Sequence, residues 1–412
     1  MPAWENDQVA SPVGIYISVP FCRAKCSFCN FASDAFPPER MQAYVDRLIQ
    51  EIQRSPEAAR ALACEMPRTV DSIYLGGGTP SLLSPAQISD VFGALRRQFD
   101  LLPNAEISLE AAPGQIAELL LESALLSGIN RVSLGVQSFV DREARAVGRL
   151  HTGDVCRAEL ERLQAAGVPR LSVDLIAGLP YQTPATWTES LRSVLESPAE
   201  HVSVYMLETD GDSRLGTEVE KIRSTSQLTV LGEQARYHAS AVPSEEMCAD
   251  LYHQACDTLA SEGFAQYEIS NFARPGAQSR HNLKYWQRAP YLGFGLDAHS
   301  MLLDENGRAV RFQNADELDG YLEATGPSET LPISDDAAFE EAVFLGLRLA
   351  QGVSIADLAA MRQPVRLRAL VERARELSDD GLMTVSPDRL ALTAQGRVLS
   401  SSVFGELLTV AA

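Results

Sequence analysis

Six short segments of β-type composition recur between residues 14 and 208, separated by stretches with helical patterning. They are GIYISVP (14–20), SIYLGG (72–77), EISLEAA (106–112), RVSLGVQS (131–138), RLSVDLIAGLP (170–180) and HVSVYMLE (201–208). Strand–helix alternation of this kind predicts a parallel sheet with right-handed crossovers. Met41, Tyr44, Val45, Leu48, Ile49 and Ile52 stripe one face of a helix expected over 39–54. Ser84-Pro85-Ala86-Gln87 reads as an N-cap, a first-turn proline and a capping-box glutamine. Gly128 and Gly167 follow apolar helical runs and read as C-terminal caps. Six units are too few to close an eight-stranded barrel, so the expected fold is α/β, a curved, partial (β/α)6 barrel. In such folds chemistry gathers at the C-terminal ends of the strands.

Directly after the first segment, Cys22, Cys26 and Cys29 share one loop, Pro20-Phe-Cys-Arg-Ala-Lys-Cys-Ser-Phe-Cys-Asn-Phe31. Three thiols with two short gaps can wrap one face of an inorganic cluster, but they leave four-coordinate ligation incomplete. Zinc prefers four ligands and usually adds a second distant pair. No such pair is evident, since Cys248 and Cys256 have nothing between them that suggests a ligand. Soft thiolates with one vacancy fit a [4Fe–4S] cube with an open iron better. A purely structural zinc protein is the alternative from a different class.

Seven cysteines in 412 residues are not a disulfide scaffold. Cys64, Cys156, Cys248 and Cys256 are scattered and expected as free thiols, which suits a reducing cytoplasm. The N-terminal MPAWENDQVASP has neither a basic nor an apolar signal region. No apolar stretch approaches the ~20 residues of a membrane span. A net charge of −20 argues against a nucleic-acid partner and against a polybasic membrane patch.

Gly76-Gly77-Gly78-Thr79-Pro80 follows the second strand, and glycines let backbone amides approach a ligand closely. A tight turn is the bland reading. Glu110 follows an apolar strand and Asp174 lies inside one. Burying such carboxylates costs several kcal/mol unless they are paired.

At this point the resemblance is to the radical S-adenosylmethionine (SAM) superfamily. The cysteine triplet resembles that family's, and GGGTP resembles its glycine motif for the amino-acid end of SAM. The resemblance implies that SAM binds the open iron and is cleaved to a 5′-deoxyadenosyl radical. The strings EISLEAAP, RVSLGVQSF, VGRLH and VDLIAGLPYQT resemble the coproporphyrinogen-oxidase-like branch. That resemblance implies SAM contacts at Tyr16, Gly77, Gly78, Thr79, Glu110, Gln137, Arg149 and Asp174. Ser18 departs from it, because most relatives have histidine there.

Two functions compete within the branch, a heme chaperone and an oxygen-independent coproporphyrinogen III dehydrogenase that decarboxylates two propionates. The dehydrogenases carry a further cysteine two residues after the triplet, where this chain has Phe31. They also carry a long N-terminal extension, whereas Tyr16 lies close to the start of this sequence. His281-Asn282-Leu-Lys-Tyr285-Trp286 is H-N-x-x-Y-W, which resembles the chaperones' own signature and implies heme contact. Histidine nitrogen is a good iron ligand, and the flanking aromatic rings can pack on a macrocycle. His299 is a second ligand candidate. The expected protein is a heme chaperone with heme, SAM and a cluster, heme-receiving client proteins, and a monomeric or homodimeric state.

Three regions are expected: a barrel over 1–240, a mixed aromatic-rich segment over 241–330, and a winged-helix-like module over 331–412. The stretch 209–240 reads as an irregular excursion over the barrel mouth. In the last region Phe339, Ala342, Val343, Leu347 and Ala350 stripe one helix, and a second covers roughly 364–378. MTVSPDRLALT predicts a hairpin, and Gln395–Leu408 a final helix. The region's acidic balance suits packing or protein docking better than DNA reading.

Overall fold

A computed structural model describes residues 11–209, 211–224 and 236–411. All six expected strands form: β1 (Val13–Val19), β2 (Thr69–Gly77), β3 (Asp100–Ala111), β4 (Arg131–Gln137), β5 (Arg170–Ala177) and β6 (His201–Met206). They pair in parallel and in chain order. After two short strands, β7 (Ala265–Gln266) and β8 (Asn271–Ala273), comes β9 (Tyr291–Phe294). It adds a seventh parallel strand beside β1, with Gly14 opposite Tyr291 and Ile17 opposite Phe294. Its residues are too few to announce themselves as a strand in the sequence.

Antiparallel strands extend both edges. β10 (His299–Leu303), β11 (Ala309–Gln313) and β12 (Glu329–Pro332) continue beyond β9, while β8 and β7 continue beyond β6. Residues 265–332 therefore complete the barrel's sheet on both sides. One apolar core runs from Val13 to Tyr321, and a second, smaller one runs from Ile269 and Phe339 to Leu407.

The strands alternate. Ile15, Ile17, Ile73, Leu75, Ile107, Leu109, Val132, Leu134, Val173, Leu175, Val202 and Val204 are buried among helix residues such as Tyr44, Leu48, Ile88 and Leu160. Between them on the strands stand Tyr16, Ser18, Ser72, Tyr74, Glu106, Ser108, Glu110, Arg131, Ser133, Asp174, His201 and Ser203. A parallel sheet sandwiched between two apolar layers would read as unbroken hydrophobic runs. This sheet packs an apolar face on the helices and turns a polar face inward, where Arg131 pairs with Glu106, His201 meets Tyr267 and Ser72 meets His281.

Local signals hold where they were specific. Ser84 and Gln87 form the reciprocal capping box with Pro85 in the first turn. Gly128 and Gly167 end their helices at φ +92° and +83°. The first helix runs on past the expected 54 to Ala61, through Pro56. Proline lacks the N–H that would bond Ile52 O, and the Ser55 hydroxyl donates to that carbonyl instead, at 2.8 Å.

The 209–240 stretch differs from expectation where it is described. Arg214–Ser224 is helical, and its Leu215 and Val219 are buried with Val147, Ile176 and Leu179. Residues 210 and 225–235 lie outside the described residues. In the C-terminal region helices span Asp335–Arg348 and Pro364–Asp379. The hairpin is β14 (Met383–Val385) with β15 (Arg389–Leu392), joined by β13 (Val353–Ser354). The expected last helix is broken at Leu399 into Ala394–Val398 and Ser400–Ala411.

Candidate functional site

The cysteine loop is held by its backbone at the C-terminal end of β1. Cys22 N donates to Asp34 O at 2.9 Å and Asp34 N to Pro20 O at 3.0 Å, closing the loop on itself. Thr79 N donates to Phe21 O at 2.8 Å, which ties the glycine motif to the same loop. From the far side Ser27 N donates to Val147 O, and Leu215 N to Ser27 O.

The three thiols face a common environment. Burial pushes the Cys22 thiol up, hydrogen bonding to Thr79 and Ser33 pulls it down, and the nearby Cys29 and Cys26 add to the rise. Thr79 Oγ1 lies 3.7 Å from Cys22 Sγ, and Arg149 Nη1 donates to Cys26 Sγ at 3.4 Å. Among the described residues no three histidine, cysteine or carboxylate side chains converge on a point where one ion would sit. A cube spreads its thiolates over different irons, so this spacing suits a cluster better than a single zinc.

Beside the loop, Gly76–Gly78 form a cradle that side chains would fill. Gly77 has φ +93°, and a Cβ there would stand 2.8 Å from Ser18 Oγ and 3.2 Å from the Tyr16 hydroxyl. A Cβ on Gly78 would meet Val19 O at 2.7 Å. The small Ser18 is buried against this turn.

Glu110, next to last in β3, accepts from the Tyr74 hydroxyl at 2.8 Å. Burial raises its carboxyl to about 7; bonds from Tyr74 and the Gly77 N–H oppose the rise, and Asp174 adds to it. Asp174 is also pushed up by burial, against hydrogen bonds from Ser203 and Ser133. Asp174 lies within β5, as its apolar sequence neighbours imply, level with Gly135 and Ser203. The β4 backbone shifts register between Gly135 and Gln137, so β4 ends in a bulge beside it.

Gln137 carries that bulge at φ +68°. Its Oε1 is buried without a partner, as is Arg149 Nε. Arg149 Nη2 donates to Gly135 O, and His151 Nε2 lies 2.9 Å from Val136 O. Buried orphan groups ask for a ligand. Two orphans, a glycine cradle, two carboxylates and three thiols at one rim fit a cluster with a cationic, polar cofactor beside it. Sequence reasoning missed Tyr74, Ser133, Ser203 and His151, which hold the site from the flanks. The alternation of polar residues along the strands was the signal for the first three.

The H-N-x-x-Y-W segment lies beneath the rim, on the helix Arg280–Trp286 against the N-terminal half of β2, with the His281 ring stacked on Tyr74 and Tyr16. His281 is 1% exposed, with Nδ1 at 3.2 Å from Ser72 Oγ and Nε2 at 2.9 Å from the Tyr285 hydroxyl. Burial, with Lys284 nearby, lowers its pKa to about 3. The expected heme contact at His281 therefore meets a closed site, because both nitrogens are engaged and no face is open. Asn282 N is capped by Ser279, Tyr285 packs edge-on against Tyr291, and Arg348 stacks over Trp286 at 4.3 Å. His299 is exposed, 4.0 Å from Asp297.

A family model described as the radical SAM superfamily matches residues 16–194, and one described as the HemN C-terminal domain matches 333–399. The heme chaperone HemW of Lactococcus lactis subsp. lactis is 31% identical over 400 residues, covering 96% of this chain and 97% of that protein. The chain belongs to the HemW family. The heme chaperone HemW of Mycobacterium tuberculosis, also 31% identical, covers 96% of this chain and 95% of its own. Coproporphyrinogen III oxidase (HemN) from Escherichia coli, a radical SAM enzyme, has a TM-score of 0.77 over 97% of this chain and 90% of that one. At 24% identity that likeness shows the fold, a radical SAM α/β frame. Superfamily membership brings with it a [4Fe–4S] cluster and SAM. Among the described residues, no helix is long and apolar enough to cross a membrane.

Proposed function

We propose that this chain is a heme chaperone that holds a [4Fe–4S] cluster and SAM and delivers heme to client proteins. The observation that carries the reading is the alignment with a heme chaperone over 96% of this chain and 97% of the relative. Phe31, standing where the decarboxylating branch has a cysteine, supports it against coproporphyrinogen III dehydrogenation.

In this reading Cys22, Cys26 and Cys29 ligate the cluster. The backbone of Gly77, Gly78 and Thr79 receives the amino-acid end of SAM, and the orphan atoms of Gln137 and Arg149 receive its polar groups. Glu110 and Asp174 face its cationic centre or ribose hydroxyls, and Tyr16 closes the floor. When bound, the cluster and SAM supply one-electron chemistry. The chain's own part is to bind, orient and shield. Tyr74 and the Gly77 N–H fix the Glu110 carboxylate, Ser133 and Ser203 fix Asp174, and Thr79 sits on Cys22 Sγ. An oxygen-sensitive cluster of this kind suits a reducing cytoplasm.

The test is anaerobic. The reconstituted chain is expected to bind heme and pass it to an apo-heme protein while leaving coproporphyrinogen III unconsumed in the presence of SAM and reductant. Conversion of that porphyrinogen would overturn the reading.

A further inference from the structure

We propose that heme docks on the rim around the cysteine loop, its propionates on a collar of cations and its apolar face on Phe31 and Leu150. This rests on the chaperone reading and adds the place and the chemistry of contact.

Three segments build the rim. Gly148 packs on Cys26 and Lys25, and Arg149 reaches Cys26 Sγ. Arg214 donates to Lys25 O and, at 3.4 Å, to Cys26 O. Residues 23–31, 145–150 and Arg214 thus form one surface.

That surface is cationic on a chain of net charge −20. Arg23, Lys25, Arg145 and Arg214 make no ion pair among the described residues. Lys25 Nζ donates to Phe31 O at 3.1 Å and Arg145 Nε to Asp141 O at 3.1 Å, both backbone carbonyls. The nearby carboxylates are occupied elsewhere. Asp34 Oδ1 accepts from Ala35 N, Asp141 Oδ1 accepts from Gly153 N, and Glu143 is buried with Ser138 and Gln182. Among the described residues Lys25, Arg145 and Arg214 thus meet backbone carbonyls, Arg214 also the Tyr237 ring, and no carboxylate pairs with any of the four cations.

On the same rim Phe31 is 63% and Leu150 68% exposed. A single exposed apolar residue needs no explanation. Two beside unpaired cations form an amphipathic face suited to a planar apolar dianion. Heme has that shape and charge, with two carboxylates on one edge of an apolar disc. The alternative face at His281 is closed by burial and by hydrogen bonds at both ring nitrogens.

The test titrates the anaerobically reconstituted full chain with heme and with heme dimethyl ester, which lacks the propionate charges. The ester, and separately the double variant Arg23→Glu/Arg145→Glu, are expected to bind about tenfold or more weakly than heme on the wild type. Phe31→Ser should weaken heme binding without changing its salt dependence, and iron and sulfide content should stay as in the wild type. Wild-type affinity should fall as salt rises from about 0.05 to about 0.5 M. If the ester and the charge-reversed variant both bind as heme binds the wild type, the rim is overturned and the chaperone reading stands. If the wild type binds no heme, the chaperone reading itself fails. If the double variant loses its cluster, the ester on the wild type decides alone.

Discussion

Replacing Glu110 by glutamine should stabilise the cofactor-free chain at pH 8 and change it much less at pH 5. Burial holds this carboxyl near 7 in the folded chain against an ordinary 4.5. Below 4.5 both states are protonated and the group is silent. Between 4.5 and 7 the unfolded chain has released its proton while the folded chain still holds one, so stability falls as pH rises. Above 7 the full penalty is present, 1.36 kcal/mol for each unit of displacement, or roughly 3 kcal/mol. The same relation gives about 0.8 kcal/mol at pH 5, so the advantage of Glu110→Gln should grow by about 2.5 kcal/mol between pH 5 and pH 8. The core around Glu110 runs from Val13 to Tyr321. At about 2.1 cal/mol/K for each of its roughly 300 residues, that is a relative rise in Tm of roughly 4 °C. The assay is thermal melting of wild type and variant, without cluster or SAM, from pH 5 to pH 8. Parallel melting curves, with a constant difference across that range, would refute the argument. SAM supplies the missing cation in the proposed site, so it should bind the cluster-loaded wild type more tightly at pH 8 than at pH 6, and Glu110→Gln should flatten that slope.

Cys22→Ala, Cys26→Ala and Cys29→Ala should each reduce cluster-bound iron and sulfide to background after reconstitution; full occupancy in any one would remove that thiol from the ligand set. Gly77→Ala places a Cβ at φ +93° and 2.8 Å from Ser18 Oγ. It should cost about 1–3 kcal/mol, read as a lower Tm, and an unchanged melt would show that the turn relaxes freely. His281→Ala leaves Ser72 and Tyr285 without their buried partner and should cost about 1–3 kcal/mol while leaving heme affinity and the absorption spectrum unchanged. A shifted heme spectrum in that variant would restore the histidine as a ligand.

Much of the frame was written locally. The capping box at Ser84, the glycine caps at 128 and 167 and the six strand segments each follow from forces acting over a few residues. The cysteine triplet and the glycine turn were equally legible as turns at strand ends, because close-spaced thiols and consecutive glycines are visible in the spacing itself. β9 was not, since four residues become a strand only because β1 offers them an unpaired edge. Helix Arg214–Ser224 likewise forms against Val147, Ile176 and Leu179, far away in sequence.

The sequence by itself determined which residue types are present and their order along each strand, including the polar alternation that gives the sheet its polar inner face. Only the tertiary structure decided which of them meet. It placed Tyr74 on Glu110, set Asp174 one step inside the rim, buried His281 and left Phe31 exposed beside Lys25. Burial and the pairing of charges depend on residues brought together across the fold. A histidine's openness to iron, or a carboxylate's grip on its proton, is therefore a property of the assembled sheet and not of the motif that contains it.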